Sequence, residues 1–295
     1  MYLTTEVQQI KALIRGFTPP RVYARVRTRR IRRYIRHFAE TTITHDYAGF
    51  RLTLHLHDPL AQGWYDRDWE EPVEIAELRN GRLRRGARVL DVGAHQGVVA
   101  LILARIVGDA GSVIAIEAEA HNARIARQNA ETNSADNMTV IHAAASAKTG
   151  TLAFAESLNG YVSTRARDGA IEVPAVAIDD VVAREGHPDV VLIDVEGYEA
   201  HVLEGASKLI AARCSDFCIE VHNAATLRSV GSTARDVVHH FMGGRYELLV
   251  ALTDDTPPGL GSSELATEWT RITSAAEIDA LGRRFFLVAR PRSRT

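Results

Sequence analysis

From residue 88 onward the chain alternates short apolar runs with longer stretches whose apolar residues recur at helical spacing. The runs at 89–92, 112–117, 138–142, 190–194, 216–221, 245–251 and 284–290 have strand length. The stretches at 98–107, 121–132, 179–184, 198–212, 233–242 and 274–281 have helix periodicity. Strands alternating with helices predict a parallel sheet with right-handed crossovers. The expectation is α/β: a seven-stranded, mostly parallel, doubly wound sheet whose last two strands form an antiparallel edge. Residues 151–156 and 171–177 read as additional β pieces with a flexible loop near Asn159, and a Pro/Gly loop is expected at 253–263.

The first 80 residues follow other patterns. Leu52, Leu54 and Leu56 alternate with polar residues, which predicts a half-buried strand paired in a small hairpin. His55 and His57 share one face at a spacing that can bind metal, but without a clear third ligand they read as solvated strand histidines. Upstream, Tyr23, Val26, Ile31, Tyr34, Ile35 and Phe38 recur at helical spacing with arginines between them, an amphipathic basic helix. The reading is an N-terminal helical extension with a small β/helix cap over 1–80, and one α/β domain over 81–295.

The apolar run at 89–92 opens into Gly93-Ala94-His95-Gln96-Gly97 and then an apolar helix. This is the first βα unit of a nucleotide-binding sheet. Gly93 lets the backbone turn sharply and approach a ligand, and Asp91 lies at the end of the strand where such sheets bind ligands. The spacing is not the G-x-G-x-x-G of a dinucleotide site, since position 95 is His. An acid at the tip would repel a pyrophosphate and suits a cation; S-adenosylmethionine carries an ammonium and a sulfonium. Glu117 ends the second strand, where a carboxylate can accept from both ribose hydroxyls of either cofactor type. Ala143, Ala144 and Ala145 after the third strand are small enough to let a flat adenine approach. Asp194, Glu196 and Glu199 follow one later strand, and Glu220 and His222 end the next, so all five are expected at one cleft.

Asp91-Val92-Gly93-Ala94-His95-Gln96-Gly97, Glu117, Asp194-Val195-Glu196-Gly197-Tyr198-Glu199 and Glu220-Val221-His222 together resemble the FkbM-type methyltransferases, which are class I S-adenosylmethionine enzymes. The resemblance spans roughly 64–225, and its most specific part is the Asp-Val-Glu-Gly-x-Glu stretch. The departure is His95-Gln96, where the family commonly has Asn and an apolar residue. The resemblance implies a class I fold with the cofactor held by Asp91, Gly93, Ala94, His95, Gly97, Glu117, Ala144 and Asp194. Tyr65 and Trp69 would lie over the cleft, and Glu71 or Glu74 would reach the cofactor's ammonium. The implied reaction is O-methylation of a sugar, aminocyclitol or polyketide hydroxyl in secondary metabolism. His222 has the ordinary pKa of a general base, oriented by Glu220 or Glu196, and either acid would itself serve as the base if burial raised its pKa. The competing arrangement is a Mg²⁺ held by Asp194, Glu196 and Glu220.

Composition adds bounds. The 295 residues carry a net charge of −2, but residues 1–40 hold ten Lys/Arg against two Asp/Glu. That basic helix fits a membrane surface, an acidic partner or nucleic acid, or more plainly a homodimer contact or docking on the domain; the plain reading is preferred and nucleic acid is not expected. Two cysteines, Cys214 and Cys218, cannot build a disulfide framework or a four-ligand zinc site. No run reaches transmembrane length and no signal-peptide stretch is present, so the expectation is cytoplasmic. Two alternatives stand beside O-methyl transfer: a nicotinamide-dependent oxidoreductase, and a catalytically silent S-adenosylmethionine-binding partner protein.

Overall fold

The computed structural model describes residues 37–155, 161–162, 170–253 and 268–292. The amphipathic helix expected from Tyr23 and most of the loops near Asn159 and at 253–263 lie outside them. An antiparallel hairpin comes first, β1 (Thr41–Tyr47) and β2 (Phe50–Leu56), followed by α1 (Pro59–Tyr65) and α2 (Val73–Arg79). The alternating part begins with β3 (Arg88–Val92), α3 (Val98–Val107), β4 (Ser112–Glu117), α4 (Ala120–Thr132) and β5 (Met138–His142). β6 (Ala144–Ala145), β7 (Gly150–Ala155), β8 (Tyr161–Val162) and β9 (Ala170–Val176) form a separate four-stranded sheet. The main sheet resumes with α5 (Ile178–Glu185), β10 (Val190–Ile193), α6 (Glu199–Glu204), α7 (Ser207–Ala212) and β11 (Asp216–Val221). The remaining elements are α8 (Ala224–Ser229), α9 (Ala234–His239), β12 (Tyr246–Leu252), β13 (Thr270–Ile272), α10 (Ala275–Leu281) and β14 (Phe285–Pro291).

The main sheet runs β13-β12-β14-β11-β10-β3-β4-β5. Its centre is parallel from β5 through β11. All seven expected strands are present, and β13 adds a short eighth at the edge. The last two expected strands, β12 and β14, pair antiparallel, and β13 extends this edge. β14 runs against both β11 and β12, so β12 points the same way as β11. The helix expected over 198–212 is two helices. They break at Gly205, where a Cβ would lie 2.1 Å from the carbonyl oxygen of Ser146.

Helix α3 explains why the hairpin is there. It is apolar almost all round, and such a helix must be buried on all sides. The sheet covers one side, and Leu52, Leu54 and Leu56 of β2 join the same apolar cluster from the other. The free edge of β2 is met by α4. Asn133 Oδ1 accepts from the Thr53 N–H at 3.0 Å and its Nδ2 donates to the Thr53 carbonyl at 2.7 Å. One turn earlier, Asn129 Oδ1 accepts from the His55 N–H at 2.8 Å while its Nδ2 donates to the Gln96 carbonyl at 2.9 Å. Two carboxamides on one helix face thus replace a neighbouring strand and tie the hairpin to the turn after β3.

Asn129→Ala removes both partners of two buried backbone groups. Each orphaned group costs about 1–3 kcal/mol, so urea unfolding should show a loss of about 2–6 kcal/mol. A loss under about 0.5 kcal/mol would show that the carboxamide is not the clamp described.

Candidate active site

The C-terminal tips of β3, β4, β10 and β11 stand side by side, as their parallel registers require. A solvent-open cleft lies across the tips of β3, β4 and β10 and the segment after β5. Gly93, Glu117, Ala144 and Asp194 line it, with Glu196, Phe154 and Tyr198. Gly93 has φ +93°, and a Cβ there would sit 1.7 Å from the carbonyl oxygen of Asp194. The β3 and β10 tips approach this closely because position 93 has no side chain.

Behind the lining stand Asp91, Ala94, His95 and Gly97. The Gly93 and Ala94 N–H groups both donate to the Ile116 carbonyl, at 2.8 and 3.1 Å. His95 is left-handed at φ 49°, which turns its N–H toward Glu117 Oε2 at 2.8 Å. Glu117 Oε1 accepts from the Glu119 N–H at 2.7 Å. These bonds aim the carboxylate, yet burial outweighs them and its pKa is pushed up to about 8. Asp91 is 4% exposed and its Oδ2 has no partner; burial and the charge of Asp194 raise it to about 7. Gly97 makes room for helix packing, its missing Cβ standing 3.0 Å from that of Ala126.

Tyr65 and Trp69 likewise stand outside that lining. Tyr65 is buried, with its hydroxyl 2.8 Å from His95 Nδ1, and Trp69 donates to the Trp64 carbonyl at 3.1 Å. The two acids left open by the sequence have different surroundings. Glu71 pairs with Arg79 at 2.7 Å. Glu74 is raised to about 7 by burial and also feels Asp194 and Arg284.

His222 is 5% exposed and ringed by carboxylates. Its Nδ1 is 2.7 Å from Glu199 Oε1; its Nε2 is 3.3 Å from Glu196 Oε2 and 3.8 Å from Asp194 Oδ1. Glu199 is fully buried and also accepts from the Gly197 N–H at 2.9 Å. Burial alone would depress the ring's pKa. The bonds to Glu196 and Glu199 and the charge of Asp194 prevail, and it is pushed up to about 11. At neutral pH His222 is therefore a cation, not the free base that its residue type suggests. Glu220 does not orient it, because its carboxylate is in an ion pair with Arg284. Sequence reasoning missed Arg284. It precedes the apolar run of β14 and carries no local signal, since only the insertion of β14 beside β11 brings it here.

Asp194, Glu220 and His222 each offer a ligand atom within 4.8 Å of the others, the one such group among the described residues. It is not the expected oxygen trio, since Glu196 is replaced by an imidazole. The donor set does not fit Mg²⁺, which takes oxygen ligands: one donor is nitrogen, and the Glu220 charge is already matched by Arg284.

A methyltransferase FkbM domain model matches residues 91–239, half of the chain. The chain belongs to the FkbM methyltransferase family. That match supports S-adenosylmethionine, rather than a nicotinamide, as the cofactor. A probable cobalt-precorrin-6B C(15)-methyltransferase (decarboxylating) of Sulfolobus acidocaldarius is 27% identical over 147 residues, 46% of this chain and 74% of that protein. Among solved structures, the methyltransferase FkbM from Methylobacillus flagellatus KT is 18% identical with a TM-score of 0.44. The alignment covers 74% of this chain and 48% of that one, so the chain spans about half that relative's length. An S-adenosylmethionine-dependent O-methyltransferase from Thermotoga maritima is 13% identical with a TM-score of 0.41, covering 86% of this chain and 79% of that one. Among the described residues, no helix is long and apolar enough to cross a membrane.

The raised pKa values give one direction of pH dependence. His222 moves from 6.5 unfolded to about 11 folded, so its stabilisation is complete below 6.5 and is lost as pH rises toward 11. Asp91 and Glu117 rise from 3.8 and 4.5 to about 7 and 8, so folding disfavours their charged forms and stability again falls with rising pH. The thermal midpoint of the ligand-free protein should therefore fall steadily from pH 6 to pH 9. A flat or rising profile would contradict this site electrostatics. In an NMR titration the His222 ring should stay protonated through pH 9.

Proposed function

We propose that the protein transfers the methyl group of S-adenosylmethionine to a hydroxyl oxygen of a small, hydroxyl-rich acceptor. The supporting observation is Glu196, on the cleft wall and 3.3 Å from Nε2 of a cationic His222. The cleft suits the cofactor in named ways. Glu117 presents a carboxylate for the ribose hydroxyls. Ala143, Ala144 and Ala145 leave room for a flat base. Asp91, with an unpartnered buried oxygen, and Glu74 supply negative charge for an ammonium. Bound S-adenosylmethionine supplies an activated methyl on its sulfonium.

The chain's own task is then to hold the acceptor and take its proton. Glu196 Oε2 receives that proton as the oxygen is methylated, the assignment being carboxylate base in place of imidazole. His222 keeps its own proton and balances the negative charge of Asp194 and Glu196. Glu199 fixes the ring from the other side. Glu220, paired with Arg284, shapes this end of the cleft and takes no proton. No divalent ion is assigned a role. Sugars, aminocyclitols and polyketide alcohols of secondary metabolism have the required hydroxyls. Both thiols are unpaired, in keeping with a cytoplasmic setting.

Isothermal titration should show S-adenosylhomocysteine binding, weakened by about 1–3 kcal/mol in Glu117→Ala. With an acceptor found by screening polyols, Glu196→Gln should lower kcat about 10²–10⁴-fold and leave cofactor affinity near wild type. His222→Gln removes the neighbouring cation, which raises the Glu196 pKa and moves the rising limb of the rate–pH profile upward. Activity should survive EDTA. A product methylated on carbon, or unimpaired turnover in Glu196→Gln, would overturn this reading; cofactor binding without any transfer would favour the silent partner protein.

A further inference from the structure

Two side chains of the cofactor turn reach away from the cleft and grip α1 at both of its ends. At the N-terminal end, Asp58 caps the helix, accepting from the Leu60 and Ala61 N–H groups at 2.9 Å each. Its other oxygen receives Gln96 Nε2 at 2.6 Å, with both residues fully buried. At the C-terminal end, the Tyr65 hydroxyl is 2.8 Å from His95 Nδ1. The imidazole also lies against Trp64, ring centroids 5.1 Å apart, and against the Tyr65 ring at 5.7 Å.

His95 needs such a hold. A non-glycine residue at φ 49° is uncommon, and the conformation is unfavourable unless its surroundings impose it. The same conformation aims the His95 N–H at Glu117 Oε2. Tyr65 is itself fixed, since its carbonyl accepts the Tyr47 hydroxyl at 2.5 Å. Burial holds the Tyr65 phenol well above its usual range, and the charges of Asp58, Glu117, Asp194 and Asp91 act in the same direction. A phenol that keeps its proton can donate to Nδ1 or accept from it, according to the tautomer of His95.

We propose that Tyr65 is a positioning residue for the S-adenosyl cofactor, acting through His95 to hold the turn in the conformation that presents Glu117. Tyr65 lies outside the family-matched segment 91–239, so this part of the cofactor site is supplied by the N-terminal extension. The inference rests on the reading that the cleft binds an S-adenosyl ligand.

The test is a double-mutant cycle read by isothermal titration with S-adenosylhomocysteine, on full-length wild type, Tyr65→Phe, His95→Asn and the double variant. Tyr65→Phe keeps the ring and loses the hydroxyl; affinity should fall about tenfold, in line with loss of one partner of a buried hydrogen bond. Asn adopts the left-handed region readily, so His95→Asn should lower affinity less than Tyr65→Phe does. In that background Tyr65→Phe should cost less than twofold, because the hydroxyl has nothing left to hold. The Nδ1 ¹⁵N shift of His95 should move toward that of an unbonded imidazole nitrogen in Tyr65→Phe, a change that general loosening of the fold would not single out. Equal affinity in wild type and Tyr65→Phe overturns the inference, as do fully additive losses. A wild type that binds no S-adenosylhomocysteine overturns the cofactor reading first, and this inference with it.

Discussion

Desolvated carboxylates are the constraint under which the rest of this structure is arranged. The parallel sheet brings Asp91, Glu117, Asp194 and Glu220 to neighbouring strand tips, and Glu74, Glu196 and Glu199 join them from flanking segments. Taking this much negative charge out of water is unfavourable unless protons or cations offset it. The protein uses both. Asp91, Glu117 and Glu74 have pKa values raised into the neutral range, while His222 and Arg284 stand as fixed cations. The proton-bearing acids lie on the proposed cofactor side, where a cationic ligand would favour their charged forms.

Much of the fold was legible because its signals are local. The alternation of Leu52, Leu54 and Leu56 needs only the period of a strand. Gly93 was legible as a turn, although its closest constraint, the Asp194 carbonyl, lies a hundred residues away in sequence. The break between α6 and α7 was not, since Gly205 is required by the backbone of Ser146 and nothing in the helical period reports it.

The site divides in the same way. The acids at the strand tips are identifiable from strand ends alone. Their states are not, because a pKa is set by neighbours. His222 looks like a base by residue type, and three carboxylates converging from β10 and α6 turn it into a cation. Arg284 and Glu74 take their roles from β14 and α2 packing beside β11, a consequence of topology that no spacing rule carries.

The strand order has a further consequence, for how the molecule comes into being. β14 follows β12 and β13 in the chain, yet it sits between β11 and β12. Until it arrives, β11 has an open edge and β12 has no route to the rest of the sheet. During synthesis the cofactor turn, the acids of β10 and the hairpin are all made well before this closing strand. The last cation of the site, Arg284, arrives with it. Charge balance and sheet closure are thus late, simultaneous events, and they depend on a pairing of high sequence separation of the kind that slows folding.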